Sequence, residues 1–130
     1  MSFSINTFGQ TGEINVTVSN FKNTDGYMSI GLYNKADDFP IEGKQYRKDY
    51  IKVNSKTVTY TFKNLPAGEY AIAVYHDKNS DHKCNRNMMG IPTERYGFSN
   101  NVKPVLSAPP FSKTKFNLVS SVDVSIRLVD

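Results

Sequence analysis

The chain has a single cysteine, Cys84, and no tryptophan. A lone cysteine rules out an internal disulfide, so cysteine usage does not report the redox compartment. Apolar runs of bilayer-spanning length are missing, as is a basic amphipathic helix, so neither a membrane span nor a surface-lying anchor is expected. Charge of one sign is lacking too. The formal net charge is only +4, and Lys35, Lys44, Arg47, Lys48 and Lys52 are interleaved with Asp37, Asp38, Glu42 and Asp49. That mixture describes a solvated face and argues against a nucleic-acid partner. The amino-terminal "MSFSINTFGQ" lacks the charged-then-apolar layout of a signal peptide. Internal repeats, low-complexity tracts and linkers are absent as well, so the 130 residues read as one domain, 1–130.

Helix-favouring Ala and Leu are scarce, whereas Thr, Val, Ile, Tyr and Phe dominate the patterned segments. Eight Phe and eight Tyr supply the bulk for a two-layer interior. Alternation with period two recurs along the chain. "EINVTVSN" puts Ile14, Val16 and Val18 on one face. "YMSIGLYN" does the same with Met28, Ile30 and Leu32, and the intervening Asp25-Gly26 suggests that these two segments form a hairpin. "KTVTYTF" alternates Val58, Tyr60 and Phe62 against threonines, and Ile51 to Val53 adds a short strand.

"EYAIAVYH" is apolar on both faces, as a central strand should be, and its small Ala71 and Ala73 leave room for a covering segment. "TKFNLVSSVDVSIRLV" contributes two final strands. The expected fold is therefore all-β, an antiparallel seven-stranded sandwich with one long ordered loop.

Two irregular regions remain, residues 34–49 and 77–112. The second is unusual, because structureless loops beyond about 12–15 residues are uncommon and tend to be functional or self-packed. Met88, Met89, Ile91, Tyr96, Phe98, Val105, Leu106 and Phe111 provide it with apolar anchors, so it is expected to fold over the sheet.

The stretch "LPAGEYAIAVYHDKNSDHKCNRNMMGIPTERYGFSNN", followed by "APPF", resembles the bacterial family called domain of unknown function 2141. His76, Asp77, Asn79, Asn87, Gly90, Pro92, Glu94 and the run Tyr96 to Asn101 match its pattern. Asp81 stands where Asn is usual, Asn85 where Asp is usual, and His82 where glycine is common. The resemblance implies a transthyretin-like or immunoglobulin-like sandwich and a periplasmic or secreted location, with the native signal peptide removed from the present chain. It brings no established activity.

Several chemistries compete for residues 76–101. Asp77, Asn79, Asp81 and Asn85 offer oxygen donors at a spacing like that of a Ca²⁺ loop, although His82 and Met88 stand where such a loop uses glycine and a bidentate glutamate. The same Asx residues also close turns on their own backbone without any ion. His76, His82 and Cys84 have zinc-ligand chemistry without diagnostic spacing, and Cys84 has no oxyanion-forming signature beside it that would mark a nucleophile. Asp77 and Glu94 are the one carboxylate pair suited to hydrolysis. His76, Tyr96, Phe98, Glu94 and Asn100 could line a cleft for a glycan or peptide, since rings stack on sugars while amides hydrogen-bond them. Loop packing is the plainer role for the rings.

With the location that the resemblance implies, the expectation is an exported, non-enzymatic sandwich whose loop 76–101 forms a recognition or weak ion-binding surface, with Ca²⁺ as the candidate ion. The alternative is a carbohydrate-active or other hydrolytic enzyme using Asp77 and Glu94.

Overall fold

In the computed structural model, which describes residues 11–78, 94–104 and 107–130, eight strands form two sheets. They are β1 (Gly12–Ser19), β2 (Tyr27–Tyr33), β3 (Arg47–Lys52), β4 (Val58–Leu65), β5 (Gly68–Asp77), β6 (Tyr96–Phe98), β7 (Phe116–Leu118) and β8 (Ser121–Arg127). One sheet runs β4-β1-β8. The other runs β3-β2-β5-β6, with β7 also paired to β5.

The sandwich class is as expected, with four differences of detail, the first being that β3 covers Arg47–Lys52, reaching into the stretch read as irregular, rather than Ile51 to Val53. The strand number is eight rather than seven, because β6 is a three-residue strand inside the region read as loop; "YGF" is too short to show alternation. The sheets are not purely antiparallel, since β1 and β8 pair in parallel, matching Ile14 with Val122 and Val18 with Ile126. The expected β1–β2 hairpin is instead a crossing between sheets. Phe21, 2% exposed, is drawn into the core within that connection, and its amide donates to the Lys56 carbonyl. A connection that carries a buried aromatic does not act as a two-residue turn.

The alternation seen in the sequence becomes the interior directly. Ile14, Val16 and Val18 of β1 and Phe62 of β4 meet Met28, Ile30 and Leu32 of β2 and Ile72 and Val74 of β5 across the sandwich. Full burial of each such side chain stabilises the fold by about 1.5–3 kcal/mol. On the opposite face of β1, Thr61 Oγ1 donates to Asn15 Oδ1 and Asn15 Nδ2 donates to Asp123 Oδ1, both at 3.0 Å, so the polar rows are joined across all three strands. Where the chain leaves β4 for β5, the Tyr70 hydroxyl donates back to the Pro66 carbonyl at 2.6 Å, the geometry of a tyrosine corner.

A second apolar cluster covers the outer face of the five-stranded sheet. Ala71 is fully buried there with Tyr33, Phe39, Tyr96, Phe98 and Phe111. The cover over the alanines, as far as the described residues show it, comes from Phe39 in the β2–β3 connection and from Phe111, which opens a one-turn helix α1 (Phe111–Thr114). Phe39 meets Tyr33, Phe98 and Phe111 edge-on at centroid separations of 5.0, 6.0 and 6.1 Å.

Candidate functional site

Alternation along β5 sends His76 and Asp77 in opposite directions. His76 pairs with Met28 and Asp77 with Tyr27 across β2, so His76 continues the interior row while Asp77 falls on the outer face. Both are 0% exposed.

The His76 ring stands edge-on to Phe21 at 5.0 Å, and its Nε2 lies 2.5 Å from the Asp25 carbonyl. A carbonyl only accepts, so the proton of this contact sits on Nε2. Among the described residues the buried Nδ1 has no hydrogen-bond partner. The histidine thus locks the loop before β2 onto the end of β5, and its backbone amide donates to the Arg95 carbonyl at 2.8 Å.

Asp77 accepts a hydrogen bond from the Tyr50 hydroxyl, which reaches it from β3 across β2. Tyr50 is held in place by stacking on Tyr27, with centroids 4.6 Å apart and rings 10° from parallel. Lys52 Nζ sits 5.5 Å from the centroid of Tyr27, within cation–π range. Gly26 is required where this corner closes. It has φ of +69°, and a side chain there would meet the Asp77 carbonyl and, at 2.7 Å, the Lys78 carbonyl.

Glu94, 4% exposed, accepts from the Lys78 amide at 3.0 Å. Its neighbour Arg95 donates to Asp130 at 2.9 Å and to the Asn20 carbonyl at 2.8 Å. The two ends of the span from 78 to 94 are therefore joined at the edge of the sheet, with the Asp77 and Glu94 carboxylates buried beside the junction.

The "YGFSNN" run has a different task. Tyr96 and Phe98 belong to the second apolar cluster, and Tyr96 exchanges both backbone hydrogen bonds with Val129. Ser99 Oγ donates to the Thr114 carbonyl at 2.5 Å and accepts from the Ile72 amide at 3.0 Å. Asn100, at φ 64°, donates to the carbonyls of Lys113 and Lys115 at 3.1 and 3.0 Å. Asn101 bonds the backbone of Ser125 and Arg127 in β8. The run is a clip that fastens α1 and β8 to the five-stranded sheet.

Of the residues singled out from sequence, His76, Asp77 and Glu94 gather at one corner. Tyr96 and Phe98 lie in the apolar cluster, and Asn100 in the clip. Asn79, Asp81 and Asn85, together with His82 and Cys84 of the zinc reading, lie outside the described residues. Among the described residues no group of three or more His, Cys, Asp or Glu is placed to hold a metal, and no helix is long and apolar enough to cross a membrane.

Sequence reasoning missed Tyr50, Tyr27, Asp25 and Arg95. Tyr50 stands between the stretch 34–49 read as irregular and the short strand expected at Ile51 to Val53, and only the strand pairing brings it to Asp77. The alternation of "RKDYIK" would have revealed the side on which it lies.

No curated protein and no solved structure matches the chain. A family model described as an uncharacterized protein conserved in bacteria, DUF2141, matches residues 16–126, a span that takes in both sheets and the corner built on His76, Asp77 and Glu94, and the chain belongs to that family.

Proposed function

We propose that the protein is a non-enzymatic recognition module in which residues 76–78 and 94–101 form a rigid base for the recognition segment 79–93, with Ca²⁺ as a weakly held structural ion. The observation that carries this reading is the closed base itself: Lys78 is bonded to the buried Glu94 carboxylate, and His76 to Arg95. Loops held by a rigid scaffold are the usual carriers of binding residues. Pre-closing a long segment also lowers the ordering entropy that binding must overcome.

The donor chemistry fits a hard cation. The Asp77 carboxylate would supply oxygen together with Asn79, Asp81 and Asn85, and bound Ca²⁺ would neutralise charge near that corner. Affinities of about 10⁻⁴–10⁻³ M are typical of extracellular Ca²⁺ modules. A weak site of this kind is useful outside the cytoplasm, and a periplasmic or secreted location is part of the proposal.

The test is an array of neutral glycans and peptides probed with the full chain and with a chain in which 79–93 is replaced by a Gly-Ser linker. Binding by the full chain that disappears in the replacement supports the reading. Equal binding by both, or no binding by the full chain, overturns it. Hydrolysis of a bound glycan that is lost in Asp77→Asn would overturn the non-enzymatic assignment in favour of catalysis by Asp77 and Glu94.

A further inference from the structure

Strands β3 and β4 end the two sheets on one side of the sandwich, and between them opens a cleft of about 380 Å³. This edge is distinct from the one carrying Glu94 and β6. Arg47, Lys48 and Lys63 contribute three cations to the lining, and the Asp49 carboxylate stands beside Tyr60 at its margin. Lys48 has a carboxylate partner in Glu42 at 3.8 Å, but both side chains are about 60% exposed, so that pair holds the cation loosely. Arg47 spans the gap between the sheets, donating from one guanidinium nitrogen to the Lys63 carbonyl. That contact orients the guanidinium, and among the described residues no ion pair takes its other N–H groups, which suit a planar acceptor.

Uncharged groups complete the lining. Tyr60 stands edge-on to Phe62 at 4.8 Å. Burial, then a hydrogen bond to the Asp49 carboxylate, raises its pKa above the usual phenol value, and its hydroxyl oxygen is left as an acceptor for a ligand hydroxyl. Asn64 contributes an exposed amide at the end of β4.

We infer that the cleft between β3 and β4 binds a carboxylate-bearing saccharide of the uronate type, its carboxylate on the Arg47 fork and its hydroxyls on Tyr60 and Asn64. The volume lies in the range of about 300–1,000 Å³ typical of small-ligand sites. Planar bidentate geometry suits a carboxylate, and phenol and amide groups suit a polyol. An acidic peptide added as a further strand is less well served, because Arg47 and Asp49 sit on the inward face of β3, a placement that guards an edge against pairing.

Trigalacturonate titrated into the full chain, followed by NMR shifts, tests the inference. Arg47→Gln and Lys63→Gln should each weaken binding about tenfold, a loss of about 1.4 kcal/mol. Lys103→Gln, the same charge change at an exposed residue outside the cleft, should leave binding unchanged, and neutral galactotriose should not bind. Lys63 is exposed, so its variant tests the site even if Arg47→Gln fails to fold. Absence of trigalacturonate binding would overturn the inference. So would an equal loss in Lys103→Gln, or equal binding of a glutamate peptide at the same residues.

Discussion

Glu94 Oε2 accepts from the Lys78 amide at 3.0 Å, joining residues sixteen apart in sequence. The bond is buried at the acceptor, so removing the carboxylate leaves a backbone donor without this partner. Glu94→Ala should lower the unfolding free energy by about 1–3 kcal/mol, while Glu94→Gln, which keeps an acceptor oxygen, should lose less than half of that. Urea denaturation of the two variants checks the ordering; equal losses would show that the Lys78 bond is not what Glu94 contributes.

The Tyr50 hydroxyl donates to a carboxylate with no solvent exposure. Tyr50→Phe keeps the stack on Tyr27 and removes only the donor, at an expected cost of about 1–3 kcal/mol. Tyr27→Phe makes the same chemical change in the partner ring and should cost less than half as much. Comparable losses in the two variants would mean that the stack, rather than the bond to Asp77, carries the effect.

Gly26→Ala tests the closure from the other side. The added methyl would press on the Asp77 and Lys78 carbonyls, and the positive φ disfavours any L side chain. A loss of about 1–3 kcal/mol is expected. Gly43→Ala also meets a positive φ but has open space around it, so it should be the milder of the two. Thermal melting ranks them, and a reversed order would contradict the close approach at Gly26.

Much of this was readable in the sequence, and what was not has a physical reason. The alternating rows of β1, β2, β4 and β8 appeared at once, because a strand buried on one face must repeat every second residue, and β5 stood out by being apolar on both faces. The relation of β1 to β2 did not, since alternation reports a face and not a partner. Asp25-Gly26 looks the same in sequence whether the chain turns back in one sheet or crosses to the other. At the corner, His76, Asp77 and Glu94 stood out by residue type, whereas Tyr50 and Arg95 matter through contacts fixed only by pairing across β2 and by the end of the chain. The clip formed by Ser99, Asn100 and Asn101 shows the converse. A polar run that resembles a ligand surface serves here to hold backbone carbonyls.

Alkaline pH should expose the second cluster. Burial, followed by the charge of Glu42 and the neighbouring Tyr75, pushes the Tyr33 phenol well above its ordinary pKa of 10. With the folded value raised above the unfolded one, the neutral ring contributes its full stability below about pH 10. That contribution is lost as pH rises beyond this point, because the unfolded chain releases the proton first. Tyr60 and Tyr70, both raised chiefly by burial, act in the same direction. Tyr33→Phe should therefore flatten the fall in melting temperature between pH 9 and pH 11. An unchanged slope would show that Tyr33 does not drive it.

The most direct test of the central claim is the melting temperature of the full chain in millimolar Ca²⁺ and in chelator, measured beside Asp77→Asn. Ion binding to the folded state raises stability by mass action. The account predicts a higher midpoint with Ca²⁺ for the unaltered chain and coincident midpoints for Asp77→Asn. Coincident midpoints for the unaltered chain across the millimolar range would contradict it.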